Sequence, residues 1–259
     1  MFRRMVSLFA IVAIIGFHVL PVQAAERNWG NEITGDVRTF DGKVGIYAKN
    51  LRTGRVFDIN QNDVFPTAST SKLVVALATY KFLYPQVPGE KKNLYETDIE
   101  SMITVSDNQS FYDLLDEIAA VESDSLVRVT KDLGLKQTQI HSQEAKEKYN
   151  YQSVTTPFEM AKVFEAIYRE RYLGREQSVV LKDYLANTIF HDEIPRFMLT
   201  KVMHKVGQLD NLLCDVGIVD DGKDQILISA YTITDRPEDY ASDFIANTSA
   251  KLYNALRQK

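Results

Sequence analysis

The 259-residue chain holds a single cysteine, Cys214, so no disulfide can form within it and its stability must come from packing. The flank Leu212-Leu213-Cys214 reads this thiol as a small core residue. Histidine is also scarce. His18 falls in the N-terminal apolar run, and His141, His191 and His204 show no ligand spacing such as H-E-x-x-H. They read as structural or surface residues; even His191-Asp192-Glu193 has the right residue types without the right spacing, and no metal is expected. A glycine-rich phosphate loop, a dinucleotide fingerprint and a G-x-S-x-G elbow are all missing. No cofactor is expected.

Positive charge is in deficit as well: 30 basic residues face 35 acidic ones. Such a balance argues against a nucleic-acid partner. No low-complexity stretch, long linker or internal repeat divides the chain.

One long apolar run is present, Val6 to Leu20, preceded by Met1-Phe2-Arg3-Arg4 and followed by Val22-Gln23-Ala24. This pattern reads as a secretory signal peptide, residues 1–24, cut after about Ala24. The run is short for a membrane span, so a secreted or periplasmic protein without stable membrane insertion is expected. Loss of Arg3 and Arg4 leaves 28 basic against 35 acidic residues, a net charge of −7 over residues 25–259. That length buries a full core as one large domain or two closely packed ones, and a monomer is expected.

Lys43–Ala48 alternates as a strand, Asn50–Gly54 turns, and Arg55–Ile59 resumes the strand, giving a hairpin. The β signal returns at Lys201–Val206, Leu212–Val219 and Gln225–Thr232, the last two joined by the Asp220–Lys223 turn, and a helix is expected from about Asp239 to Leu256. Residues from about 66 to 199 read almost wholly as helices. The fold class that follows is α+β: an antiparallel sheet flanked by helices as an α/β/α sandwich, built from about 25–65 and 200–259, plus an all-helical lobe from about 66–199. A substrate is expected in the cleft between them.

Three short motifs carry the chemistry. In Ser69-Thr70-Ser71-Lys72 the lysine lies three residues after the first serine, so on one helix they share a face. A serine without a partner histidine needs such an adjacent base. The preceding Asp63–Ala68 stretch ends the previous element and puts Ser69 at a helix start, where backbone N–H groups favour an anion. Ser106-Asp107-Asn108 stands on a tight connection before the helical Phe111–Ile118. Lys205-Val206-Gly207 ends a strand at a glycine, which lets a ligand approach the backbone. Each has an ordinary reading alone, as a chance S-x-x-K, a capped turn and a strand lysine. Their order and their combination favour a serine acyl-transfer site.

On these motifs the chain resembles the penicillin-recognising serine hydrolases, and most closely their class A β-lactamase branch. The resemblance implies that Ser69 is the nucleophile and Lys72 its proton acceptor, with Ser106 passing the proton to the leaving nitrogen. It also implies that Asn108 binds the substrate amide and helps fix Lys72, that Lys205 supplies positive potential for Ser106 and the substrate carboxylate, that Gly207 lies in the substrate-binding strand, and that the N–H groups of Ser69 and Gln208 form the oxyanion hole. The substrate class implied is a small-molecule β-lactam or a cell-wall peptide.

Two departures stand out. Val206 occupies the place of a usual threonine or serine and removes a hydroxyl worth about 1.5–3 kcal/mol to a bound carboxylate. The loop Ile140–Asn150 offers Glu144 nearest the position of the expected deacylating base, with Asn150 displaced, although an exposed charged loop accounts for Glu144 and Glu147 equally well. The shortened stretch from Lys72 to Ser106 implies a more open cleft. Three functions compete: β-lactam hydrolysis, a D,D-peptidase acting on cell-wall peptides, and a non-catalytic β-lactam sensor or binding domain.

Overall fold

The computed structural model describes residues 22–257. Residues 1–21 of the expected signal segment lie outside them, and α1 runs Val22–Thr39. Next comes the hairpin of β1 (Lys43–Asn50) and β2 (Val56–Ile59), then the two-residue strand β3 (Phe65–Pro66). A helical stretch follows: α2 (Ser71–Ala78), α3 (Gly89–Thr104), α4 (Asn108–Val121), α5 (Ser125–Asp132) and α6 (Gln143–Tyr149). The two-residue β4 (Val154–Thr155) precedes α7 (Pro157–Tyr168) and α8 (Arg175–Ala186). The chain closes with β5 (Lys201–Leu209), β6 (Leu212–Asp220), β7 (Gln225–Ile233) and α9 (Glu238–Leu256).

The sheet is antiparallel with strand order β2-β1-β7-β6-β5, so both ends of the chain build it. Its inner strands do not alternate between buried and exposed residues: β6 is buried at eight of its nine positions. Helices cover both faces, so either side-chain direction meets a core. On β7 the split is visible residue by residue. Leu227 and Tyr231 join the core shared with α2 and α7, whereas Ile226, Ile228 and Ala230 join Ile33 of α1 and Ile245 and Leu252 of α9. The edge strand β2 keeps a half-exposed, alternating pattern.

In α2 all eight residues are buried, apolar around the whole circumference except for Ser71 and Lys72. A helix of that kind is an interior element, and a buried lysine on it needs partners. Two helices of the middle stretch, α7 and α8, pack directly on the sheet. Residues 66–199 are therefore shared between a helical wall and one face of the sandwich. β3 and β4 pair with each other, Phe65 with Thr155 and Pro66 with Val154; two residues are too few to leave a periodic signal in sequence.

Candidate active site

Ser69 is placed by a forced turn. Thr67 donates its N–H to the Ser153 carbonyl at 3.1 Å, and Ala68 takes a left-handed φ of +45° that carries the chain into a 3₁₀ turn, Ala68–Thr70, leading into α2. Thr70 locks the turn: its hydroxyl donates to the Thr67 carbonyl at 2.7 Å and lies 2.8 Å from Tyr231 Oη on β7. The expected helix start is thus a 3₁₀ turn feeding α2, and Ser69 stands half-buried in it.

Lys72 is 2% exposed. Its Nζ donates to the Ser106 carbonyl at 2.6 Å, to Ser106 Oγ at 3.1 Å and to Asn108 Oδ1 at 2.8 Å, which uses all three ammonium hydrogens. Burial lowers its pKa to about 8, against the opposing pull of Asp107. Ser106 itself has a left-handed φ of +58°, a conformation costly outside glycine and concentrated at functional sites. The turn divides its labour. Asp107 caps α4, accepting the Ser110 N–H at 2.7 Å, while its two neighbours reach Lys72. The capped-turn reading holds for Asp107, while Ser106 and Asn108 are turned to Lys72.

Lys205 is fully buried on β5 and donates from Nζ to Ser106 Oγ at 2.9 Å and to the Val206 carbonyl at 3.0 Å. Burial first, and then the neighbouring Lys72 charge, lower it to about 7. Ser106 Oγ therefore accepts from two amines, which occupies both its lone pairs and leaves its own proton to point away from them. That is the state of a hydroxyl prepared to donate.

The next residue but one explains the motif's glycine. A Cβ on Gly207 would lie 2.9 Å from Ser69 N and 3.0 Å from both Thr67 O and Cys214 Sγ. Only a bare backbone lets β5 lie against the nucleophile's own N–H. β5 is an edge strand of the sheet, and its last two residues, Gln208 and Leu209, line the cleft. Val206 packs into the core shared with α1 and α9 and presents methyl groups. Cys214 is a buried free thiol whose pKa burial pushes well up, as its core reading required.

The cleft has a volume of about 310 Å³, and Ser69, Lys72, Asn108 and Gln208 line it. Phe111 and Tyr112 of α4 add an aromatic wall, and Tyr151, directly after the charged loop, also lines the cleft. In sequence Phe111 reads as an apolar position of a helix, at the spacing of Leu114, Leu115 and Ile118, whereas Tyr112 and Tyr151 carry no local signal of a cleft. Glu144 is not brought to the cleft: it stands exposed in the first turn of α6, outside the lining residues. Asn150 is the left-handed C-cap of that helix, where Lys146 donates to its carbonyl and to Oδ1. His141 lines the cleft instead. Among the described residues no group of three or more His, Cys, Asp or Glu could hold a metal ion.

A serine at a strained turn, two buried amines sharing one serine hydroxyl, and an edge strand pressed against them fit a serine hydrolase of the β-lactamase type. The chain belongs to the beta-lactamase enzyme family, whose model matches residues 29–84 and 91–256. Solved structures share the fold at low identity. A beta-lactamase from Sphaerobacter thermophilus DSM 20745 is 18% identical, with 89% of this chain and 97% of that one covered and a TM-score of 0.74. A class A beta-lactamase from Mycobacterium abscessus is 15% identical, covering 89% and 100%, with a TM-score of 0.77. A mutant of PBP-A, held as an acyl-enzyme complex with penicillin G, is 20% identical, covering 91% and 97%, with a TM-score of 0.74. No curated protein matches the chain.

Proposed function

We propose that this protein is an exported enzyme that opens β-lactam rings through an acyl-enzyme on Ser69. The observation that carries the reading is Ser106 Oγ held at 3.1 Å from Lys72 Nζ and 2.9 Å from Lys205 Nζ, with Asn108 Oδ1 at 2.8 Å from the first amine. Export rests on the N-terminal sequence, Met1-Phe2-Arg3-Arg4 before Val6–Leu20.

The chemistry follows from which amine is neutral. Two buried amines sharing one acceptor disfavour being charged together. A substrate carboxylate arriving beside Lys205 favours its charged form, and repulsion then drives the proton off Lys72. Neutral Lys72 takes the Ser69 proton as Oγ attacks the amide carbon. The carbonyl oxygen gathers charge against the N–H groups of Ser69 and Gln208. Ser106 gives its proton to the departing ring nitrogen and is reprotonated from Lys72. Val206 packs away from the cleft, against the core shared with α1 and α9, and offers no hydroxyl to a carboxylate, so the capture falls to Lys205.

A second reading, a penicillin-binding peptidase on cell-wall peptides, is favoured by two observations. No carboxylate is among the residues lining the cleft, and the open edge of β5 suits an extended peptide that adds as a strand. The two readings differ in the second half-reaction alone. Intact mass measured after mixing with penicillin G is expected to show one adduct that Ser69→Ala abolishes. Decay of the adduct within minutes supports the hydrolase, persistence for hours supports the peptidase, and an adduct retained in Ser69→Ala refutes both.

A further inference from the structure

We infer that His141 is the base that activates the deacylating water, an assignment that rests on the acyl-enzyme reading above. The titratable side chains lining the cleft are Lys72, Tyr112, His141 and Tyr151. Lys72 has its part in the first half-reaction, taking the Ser69 proton and passing it to Ser106, which it contacts at 3.1 Å, and a phenol is a poor proton acceptor at neutral pH. An imidazole is the side chain with a free lone pair there.

Three features separate His141 from an ordinary loop histidine. First, its backbone is left-handed, φ +49°, a strained state for a residue other than glycine. Second, the loop is fastened to the nucleophile's turn through a single residue. His141 N–H donates to Ser153 Oγ at 3.0 Å, and the Ser153 carbonyl accepts the N–H of Thr67 at 3.1 Å, two residues before Ser69. Its flanks are fixed too: Gln139 and Val154 exchange both backbone bonds at 3.0 and 2.9 Å, and Ser142 N–H donates to the Gln152 carbonyl at 2.8 Å. From further back, buried Glu159 of α7 accepts the backbone N–H groups of Lys136, Gln137 and Thr138, at 2.6 to 3.1 Å. Third, His141 is exposed where it lines the cleft, and its imidazole nitrogens take no hydrogen bond among the described residues. His204 is the contrast: both its ring nitrogens are spent, one on Asp215 at 2.9 Å and one on the Phe190 carbonyl at 3.0 Å. A ring left free at the end of a clamped, strained loop is arranged to meet something in the cleft.

The step balances without a further reactant. The free ring nitrogen of His141 takes one proton from water as the water oxygen bonds to the acyl carbon. The bond from that carbon to Ser69 Oγ then breaks with its electron pair on Oγ. The proton on the imidazole returns to Oγ, directly or through Lys72, and the product leaves as the ring-opened acid. Both His141 and Ser69 are restored.

The test uses the full secreted protein and penicillin G, following adduct formation and decay separately by intact mass. His141→Asn and His141→Gly are chosen because asparagine and glycine tolerate a left-handed φ, so folding is retained and checked by thermal melting. Both variants are expected to form the adduct at the wild-type rate and to lose it about 10²–10⁴ times more slowly. Added imidazole is expected to restore decay in His141→Gly and not in wild type. Normal decay in both variants overturns the assignment, as does slow decay in Glu144→Gln with His141→Asn unaffected, which would return the role to Glu144. A wild-type adduct that persists for hours overturns it as well while leaving Ser69 acylation intact. Absence of any adduct in wild type removes the acyl-enzyme reading and this one with it.

Discussion

Replacing Gly207 by alanine adds one methyl group where the edge strand meets the nucleophile. The new Cβ would sit 2.9 Å from Ser69 N, 3.0 Å from Thr67 O and 3.0 Å from Cys214 Sγ. Contacts between such atoms begin to be comfortable beyond roughly 3.4 Å, so the strand and the Ser69 turn must part by about half an ångström. Two of the three obstructing atoms are backbone, and Thr70 fixes that backbone from both sides. Overpacking of this kind costs about 1–3 kcal/mol, seen as a fall of roughly 2–12 °C in Tm for a chain of this size. The catalytic loss is expected to be larger in proportion, because the displaced N–H is one arm of the proposed oxyanion hole. With ~1 Å of misplacement worth about a hundredfold, acylation is expected to slow by about tenfold or more.

The assay is the rate of covalent labelling by a fluorescent penicillin, with Tm measured in parallel. Cys214→Ala added to Gly207→Ala relieves the side-chain contact and is expected to recover part of the stability without recovering the labelling rate. Gly35→Ala in α1 is the control, since an added Cβ there meets nothing within 4 Å and gains up to about 1 kcal/mol of helix propensity. A folded Gly207→Ala protein that labels at the wild-type rate would refute the close-approach argument.

Lys72→Ala is expected to slow acylation by about 10²–10⁴, the usual worth of a positioned proton acceptor, whereas Lys205→Ala acts chiefly by raising KM for carboxylate-bearing substrates; equal and small effects in both would undo the division of roles. The two lysines also set a pH dependence of stability. Unfolded, they hold their protons up to their ordinary value of 10.5, while folded they release them at about 8 and about 7. Folding therefore sheds protons between those limits, and stability from this source rises with pH from about 7 to 10. Urea denaturation at intervals across that window is expected to show the rise and Lys205→Met to flatten it; a slope unchanged by Lys205→Met would contradict the burial argument.

The buried polar groups on the opposite side of the sheet illustrate why such chemistry needs tertiary context. His204 precedes Lys205, so its side chain points to the other face, where Asp215 accepts from one ring nitrogen and the Phe190 carbonyl from the other. Burial opposes a charge on this ring, but the Asp215 carboxylate and the acceptors on both sides outweigh it and raise its pKa above the ordinary histidine value. Nearby Glu193 is raised to about 7 by burial first and by the Asp215 charge next. Nothing in His191-Asp192-Glu193 signals this arrangement, because its partners come from β5, β6 and α9.

Sequence alone determined the parts of this protein that depend on near neighbours along the chain. The i, i+3 spacing placed Ser69 and Lys72 on one face, the alternating and apolar runs marked β1, β2, β5, β6, β7 and α9, and the order of the three motifs marked the β-lactamase-type site. What only the tertiary structure decided depends on partners far away in the chain. α7 and α8 cover the sheet, a choice that amphipathic spacing leaves open because it shows that a face is buried and not against what. Ser106 Oγ bridges amines 34 and 99 residues away, which makes it a donor. In the loop after α5, sequence offered Glu144 for its carboxylate and for its offset along the chain. The hydrogen bonds of residues 139, 141 and 142 to residues 152–154 settle which side chain meets the cleft. They leave His141 exposed at the lining of the cleft and Glu144 on the outer turn of α6, since the direction of a loop side chain is fixed by its φ and its cross-chain bonds, neither of which is written in local spacing.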